Sequence, residues 1–355
     1  MKKKSASVVS LSDIAKTAGL SKAAVCYALR NSRGVSPATR GRVLRIARQL
    51  GYVPDARIAA QMKSVRGAGT RDLLPIAWLN TTAETDTWQK QKWLSPYLEG
   101  AQERALSLGY RIDEVWTNAP GLTMKRVAGM LYQRGIEGAI VTYPARHTRL
   151  NWTHLAAVSL EGALLAPPLH RVLTDAAHNL LLALKMLNRA GYRRIGICFE
   201  EAVDRCSVHS IRAASHYFYA TTPKALRIPP LFYTGDGPED WVAAKKIVAS
   251  WLSRHEPEAL VCHTQRMVAC VEEAGYRVPE DIGIVHLATD DDVPDWAGIC
   301  SKKRQIGAAA VELVVSLMGN RQFGVPETAT DTLVRGVWHP GRTLLTPRSH
   351  LQPVG

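Results

Sequence analysis

At 355 residues, 46% of them apolar and 21% charged, the chain is too long for one ordinary domain and has the composition of a globular protein of two or three. No run of about eighteen apolar residues occurs, which excludes a membrane-spanning helix. The six cysteines, Cys26, Cys198, Cys206, Cys262, Cys270 and Cys300, form no CxxC pair, which argues against a zinc or redox motif and for free thiols in a reducing cytosol. The net charge of +14 is unevenly held. Residues 1–71 contain fifteen Lys or Arg and two acids, a local +13, so the remaining four-fifths is almost neutral.

The N-terminal Met1-Lys2-Lys3-Lys4 is charged like the start of a signal peptide, but residues 5–10 offer no apolar core. Three short helical patterns follow from Leu11. Ser12, Ser21 and Ser36 each stand where a helix N-cap is wanted, and Pro37 sits where a first turn accepts it. Gly19 breaks the first helix. Ile14, Ala15 and Ala18 make one apolar face, Val25, Ala28 and Leu29 a second, and Val43, Leu44, Ala47 and Leu50 a third. Two short helices about a Gly-containing turn, with a third to complete the core, predict a helix-turn-helix. A basic bias confined to such a unit is the electrostatic footprint of a duplex-binding module. The alternative is a solvated basic face without a partner, against which the helix-turn-helix pattern and the charge coincide.

Many positions at fixed spacing resemble the N-terminal module of the LacI/GalR family of bacterial transcriptional regulators. They are Leu11-x-Asp13-Ile14-Ala15-x-x-Ala18-Gly19-Leu20-Ser21-Lys22-x-x-Val25, then Asn31, then Val35-Ser36-Pro37-x-Thr39-Arg40-x-Arg42-Val43, then Leu50-Gly51-Tyr52-x-Pro54. The resemblance implies a second helix in the major groove, with Lys22, Ala23 and Tyr27 in the base-reading positions. Lys22 can donate to guanine O6 or N7, and Ala23 can meet a thymine methyl. Tyr27 either reads bases or packs against Arg30. Ser21, Ser36 and Thr39 match phosphate-contacting positions, a role that one hydroxyl combines with capping. Arg40 and Arg42 are basic candidates for phosphate, with a solvated surface as the alternative.

Pro54 ends the third helix, and Asp55 can cap a fourth. The resemblance makes residues 55–71 a hinge helix and linker. Two such helices pair across a homodimer in the minor groove and wedge an apolar side chain between base pairs. Ile58, Gln61 and Met62 are the minor-groove candidates. A gapless register puts Gln61, a poor wedge, at the inserting position, and Met62 one residue later is the better one. A helix this short is marginal in water and folds only when partners hold it, which suits a switch. Gly67-Ala68-Gly69-Thr70 reads as a flexible link.

From Leu74 the pattern changes. Strands are predicted at Pro75–Leu79, Tyr110–Trp116, Gly138–Thr142, Leu155–Ser159, Arg194–Phe199, Leu231–Thr234, Ala259–Cys262 and Gly283–Leu287. Helices are predicted at 93–109, 123–135, 175–190, 208–220, 239–254, 265–275 and 304–318. Such alternation implies an α/β fold with parallel sheets and right-handed crossovers, here two Rossmann-like lobes. The resemblance implies a periplasmic-binding-protein-like core over 72–345. Lobe one is then about 72–166 with 302–330, lobe two about 167–300 with 331–345, and 346–355 a tail. Ligands in such sheets bind at strand carboxyl ends, so Asn80, Tyr143, Glu200, Arg212, His263 and Asp290 are effector-binding candidates. Arg212-x-x-Ser215 matches the family's Arg-x-x-Gly turn, which holds a sugar hydroxyl or carboxylate; its alternative is a surface arginine. Two departures leave the sugar-grasping set incomplete. His263-Thr264 replaces the family's Asn-Asp, and Ala288 replaces its Asp, with Asp290, Asp291 and Asp292 just beyond. Trp78, Trp88, Trp93, Trp116, Trp152 and Trp296 either stack on a ligand or pack in the core. The histidines show no metal spacing, and no cofactor is expected.

The expected function is that of a DNA-binding transcriptional regulator, a repressor, acting in the cytoplasm and on the nucleoid. It would be a homodimer on a pseudo-palindromic double-stranded operator, with its DNA affinity set by a small molecule, a sugar in the family pattern. Without a visible heptad after Arg342, a dimer is the simpler assembly than a tetramer. A regulator controlled by a partner protein instead of an effector is one alternative. An α/β enzyme with a basic arm is another, although GxGxxG after a strand, GxxxxGK[ST], HExxH and GxSxG are all missing.

Overall fold

The computed structural model describes residues 11–29, 36–50, 73–91, 93–142, 148–162, 166–235, 238–289 and 293–345. Two compact units divide the chain, residues 1–72 and 73–355.

The first unit holds α1 (Leu11–Ala18), α2 (Lys22–Leu29) and α3 (Pro37–Leu50). Ile14, Ala15, Ala18, Val25, Ala28, Val43 and Ala47 form its core, with Leu11, Leu20, Leu29, Ile46 and Leu50 packed against it. Ile46 takes the place expected for Leu44. Gly19 has φ +63°, and Leu20 N–H donates to the Ala15 carbonyl at 3.0 Å, so α1 closes on a left-handed glycine. One expected cap is corrected. Ser12 lies inside α1, whose first described residue, Leu11, already packs on the core, and not at an N-cap.

The second unit contains two six-stranded sheets. Its strands are β1 (Leu74–Asn80), β2 (Tyr110–Trp116), β3 (Gly138–Val141), β4 (Ala156–Leu160), β5 (His170–Thr174), β6 (Ile195–Glu200), β7 (Leu231–Tyr233), β8 (Ala259–Cys262), β9 (Gly283–His286), β10 (Gly298–Cys300), β11 (Asp331–Val334) and β12 (Val337–His339). The orders are β11-β5-β4-β3-β1-β2 and β12-β10-β9-β8-β6-β7. Every pairing is parallel except β10 with β12. Alternation along the strands supplies two cores per sheet. Ile76 and Trp78 of β1, Ile140 of β3 and Val158 of β4 face one layer; Ala77, Leu79, Ala139, Val141 and Ala157 face the other.

The helices of this unit are α4 (Thr87–Lys90), α5 (Ser95–Ser107), α6 (Met124–Gln133), α7 (Ala176–Arg189), α8 (Glu201–Cys206), α9 (Ser210–Thr221), α10 (Pro238–His255), α11 (Met267–Glu273) and α12 (Lys303–Gly319). Helices α5 and α12 share the core on one face of the first sheet, and α7 packs on the second. The chain therefore passes between lobes three times, after Thr174, after Cys300 and after Val334. This corrects the expected lobe limits at 167 and 331, since β5 and β11 both belong to lobe one. Neither strand is an unbroken apolar run. They are joined at the sheet edge by a forked pair, with Arg171 Nε and a terminal nitrogen 2.7 and 2.6 Å from the two Asp331 carboxylate oxygens.

Candidate functional site

In the helical unit two of the three expected capping hydroxyls, Ser21 and Ser36, do so. Ser21 Oγ accepts from Ala24 N–H at 3.1 Å, which fixes the first turn of α2. Ser36 Oγ accepts from Thr39 N–H at 3.2 Å and lies 2.9 Å from Thr39 Oγ1. Lys22, the first residue of α2, is exposed. Arg40 lies half-buried on α3. Arg42 is exposed and also donates to the Ala18 carbonyl at 3.0 Å, which closes the end of α1. The side chains of Ala23 and Tyr27, and the hinge candidates Ile58, Gln61 and Met62, lie outside the described residues.

In the second unit a cavity of about 490 Å³ lies where the two lobes face each other, lined from the ends of β4, β5, β6 and β9 and from the start of α12. Of the sequence candidates, Glu200 and His263 line it. Tyr143 and Asp290 lie outside the described residues. Asn80 does not line it: its side chain accepts from Thr82 N–H and Oγ1 and donates to the Thr85 carbonyl, so it shapes the loop after β1.

Arg212 is also not brought to the cavity wall. Its Nε donates to Asp204 Oδ2 at 2.9 Å and a terminal nitrogen to Glu201 Oε2 at 2.6 Å, while the guanidinium lies 3.9 Å from the centre of the Phe232 ring. The reason is local. Glu201 and Asp204, three residues apart on α8, present two carboxylates to it. Burial by itself would raise the Asp204 pKa, but the bonds from Arg212 and His209 outweigh it and hold the carboxyl below its usual range.

The cavity wall includes residues that the sequence did not single out. Glu161 accepts from Thr174 N–H (3.1 Å), Thr174 Oγ1 (2.7 Å) and Tyr97 Oη (3.1 Å). Burial raises its pKa, opposed by those bonds and by Lys303. Lys303, 4% exposed, begins α12. Asn179 in the first turn of α7 accepts from Gly336 N–H at 2.9 Å and so ties two of the interlobe passages together. His286 accepts at Nδ1 from Ala288 N–H and donates from Nε2 to the His263 carbonyl, 3.1 and 2.7 Å, which fixes it as a neutral Nε2–H tautomer. The His263 ring stacks on it at 5.4 Å. It is open to the cavity, yet surrounding protein, then His286 and Lys303, push its pKa down to about 3, so it is neutral at pH 7. A helix start such as Ser301-Lys302-Lys303 reads in sequence as a surface turn, and only the packing of α12 against α5 turns Lys303 inward.

Residues 10–55 match the family described as bacterial regulatory proteins of the lacI family, and residues 184–336 match the periplasmic binding protein-like domain. The chain belongs to the LacI family. It is therefore a transcriptional regulator and not an enzyme. Curated relatives extend along most of it. The HTH-type transcriptional repressor PurR of Aliivibrio salmonicida is 23% identical over 325 residues, 87% of this chain and 92% of the relative. The ribose operon repressor of Haemophilus influenzae is 25% identical over 335 residues, 88% and 93% of the two chains. Among solved structures, the transcriptional regulator CelR in complex with cellobiose aligns with a TM-score of 0.56 at 16% identity, covering 94% of this chain and 99% of the other. The Lac repressor dimer bound to operator and the anti-inducer ONPF aligns at 0.54 and 18%, covering 95% and 99%. Among the described residues, no helix is long and apolar enough to cross a membrane, and Cys198, Cys206, Cys262, Cys270 and Cys300 are free thiols.

Proposed function

We propose that this LacI-family chain is a homodimeric repressor of a pseudo-palindromic operator, and that a small molecule in the interlobe cavity sets its DNA affinity. One combination carries the reading: a capped, basic helix-turn-helix in the same chain as a two-lobed core with a ligand-sized cavity at the strand ends. Relatives that are repressors, a structural neighbour solved with cellobiose and another solved as a dimer on operator support it. In this reading Lys22, Ala23 and Tyr27 read bases, and Ser21, Ser36, Thr39 and Arg40 meet phosphates. Ile58, Gln61 and Met62 serve the minor groove, with Met62 as the wedge. Lobe closure about the effector then shifts the population between DNA-bound and free forms. Selection of genomic fragments with the purified protein at two salt concentrations tests it. Enrichment of a two-fold-symmetric site supports the reading, and salt-sensitive binding with no enriched sequence overturns it.

A further inference from the structure

One glycine stands where the two lobes touch. Gly162, two residues past β4, belongs to lobe one, and Cys206, the last residue of α8, belongs to lobe two; both line the interlobe cavity. A Cβ on Gly162 would collide with the Cys206 carbonyl oxygen and lie 3.1 and 3.2 Å from its carbonyl carbon and Cα, so the three heavy atoms nearest to that Cβ all belong to Cys206. The obstacle is backbone, and the first side-chain carbon has no rotamer with which to avoid it. Glycine is not needed there for its conformation, because Gly162 lies outside the left-handed region. What the position requires is space for the other lobe. Both surfaces are fastened from behind. Glu161, the residue before, accepts from Thr174 N–H, Thr174 Oγ1 and Tyr97 Oη, all in lobe one. Helix α8 is tied through the Asp204 carboxylate to His209 Nδ1, Arg212 N–H and Arg212 Nε. Arg212, which matches an effector-binding position by spacing, thus secures the helix on which lobe one lands. A side chain at position 162 is accommodated more readily by moving a whole lobe than by bending either surface.

We propose that the seating of Gly162 on the end of α8 is the stop that sets how far the lobes close, and that any side chain at position 162 props them apart. The fully closed form is then open only to glycine. The size of residue 162 sets the balance of open and closed forms, whatever effector enters the cavity. The proposal rests on the lobes closing about the cavity, as in the function proposed above.

The test uses the full chain with Gly162→Ala and Gly162→Val. Gly129→Ala on α6 is the control, since a Cβ there meets nothing within 4 Å. Iodoacetamide labelling, resolved by peptide mass spectrometry, reads closure without any effector. Cys206 is half-buried on the cavity wall, whereas Cys198 and Cys262 are fully buried in the core of lobe two and report unfolding. Cys206 is expected to label about 5-fold faster in Gly162→Ala than in the wild type. It should label faster again in Gly162→Val and at the wild-type rate in Gly129→Ala, with Cys198 and Cys262 unlabelled throughout. Equal Cys206 rates in the wild type and both Gly162 variants overturn the proposal, because the contact would then be a pivot that persists as the lobes move. Labelling of Cys198 and Cys262 in Gly162→Ala also overturns it, because a clash relieved by lobe movement leaves both lobes folded. Affinity for the selected DNA site is measured on the same proteins. Faster Cys206 labelling with unchanged DNA affinity upholds the stop and refutes control of DNA by lobe closure. Faster labelling with altered DNA affinity upholds both.

Discussion

Asp204 is fully buried and holds a strained turn together. Val208 and His209 have φ of 55° and 62°, a region costly for a β-branched residue. The Asp204 carbonyl accepts from His209 N–H at 2.8 Å, and its carboxylate meets His209 Nδ1, Arg212 N–H and Arg212 Nε at 2.8, 3.0 and 2.9 Å. Asp204→Ala should therefore lower stability by about 2–4 kcal/mol in urea denaturation at pH 7. The sign with pH follows from a folded-state pKa held below the unfolded value. The contribution is present above the unfolded Asp pKa of about 3.9 and is lost as pH falls through the lower folded one. Melting midpoints of the wild type and the variant should converge in acid; a gap that stays constant down to pH 3, or thereabouts, would refute this role.

At the scale of elements, caps and close approaches decide where helices stop and how near they come. Ser36→Ala removes the acceptor for Thr39 N–H and should cost the helical unit about 1 kcal/mol, read from its own unfolding transition. Helices α5 and α12 pack so tightly that a Cβ on Gly307 would collide with the Tyr97 carbonyl oxygen, and one on Gly100 with the Arg304 carbonyl. Gly307→Ala should destabilise the second unit by about 3 kcal/mol. Its Tm would fall while the helical unit stays unchanged; an unaltered Tm would mean the helices can separate without loss. Legibility varied at this scale for a physical reason. The long amphipathic helices 176–189 and 303–319 and the apolar strands β3, β8 and β9 carry their period in the sequence. Strands β5, β11 and β12 mix polar with apolar residues, and β10 is only three residues long. Their pairing comes from neighbours distant in the chain, as with Arg171 and Asp331, so no local pattern announces them.

For the whole molecule, the concentration of +13 in residues 1–71 predicts DNA binding dominated by counterion release. For about six phosphate contacts, affinity should fall roughly 10³-fold between about 50 and 200 mM salt. Lys22→Ala should weaken the selected site more than random DNA, because base contacts specify and phosphate contacts only position. Equal loss on both, measured by fluorescence anisotropy, would remove Lys22 from the base-reading set.

The helix-turn-helix, the alternating α/β core and the family membership are determined by the sequence itself, because caps, helical period and charge are local quantities written in consecutive residues. Which side chains face the cavity was decided only by the tertiary structure. Arg212 matched an effector-binding position by spacing, yet two carboxylates on the preceding helix hold it outside the cavity wall. Lys303 and Asn179, just past passages of the chain between lobes, and Glu161, at the end of β4, carry no motif and reach that wall only in the folded chain. A site assembled from residues 88 to 303 depends on how two sheets are oriented, and orientation is a property of long-range packing that no local pattern encodes.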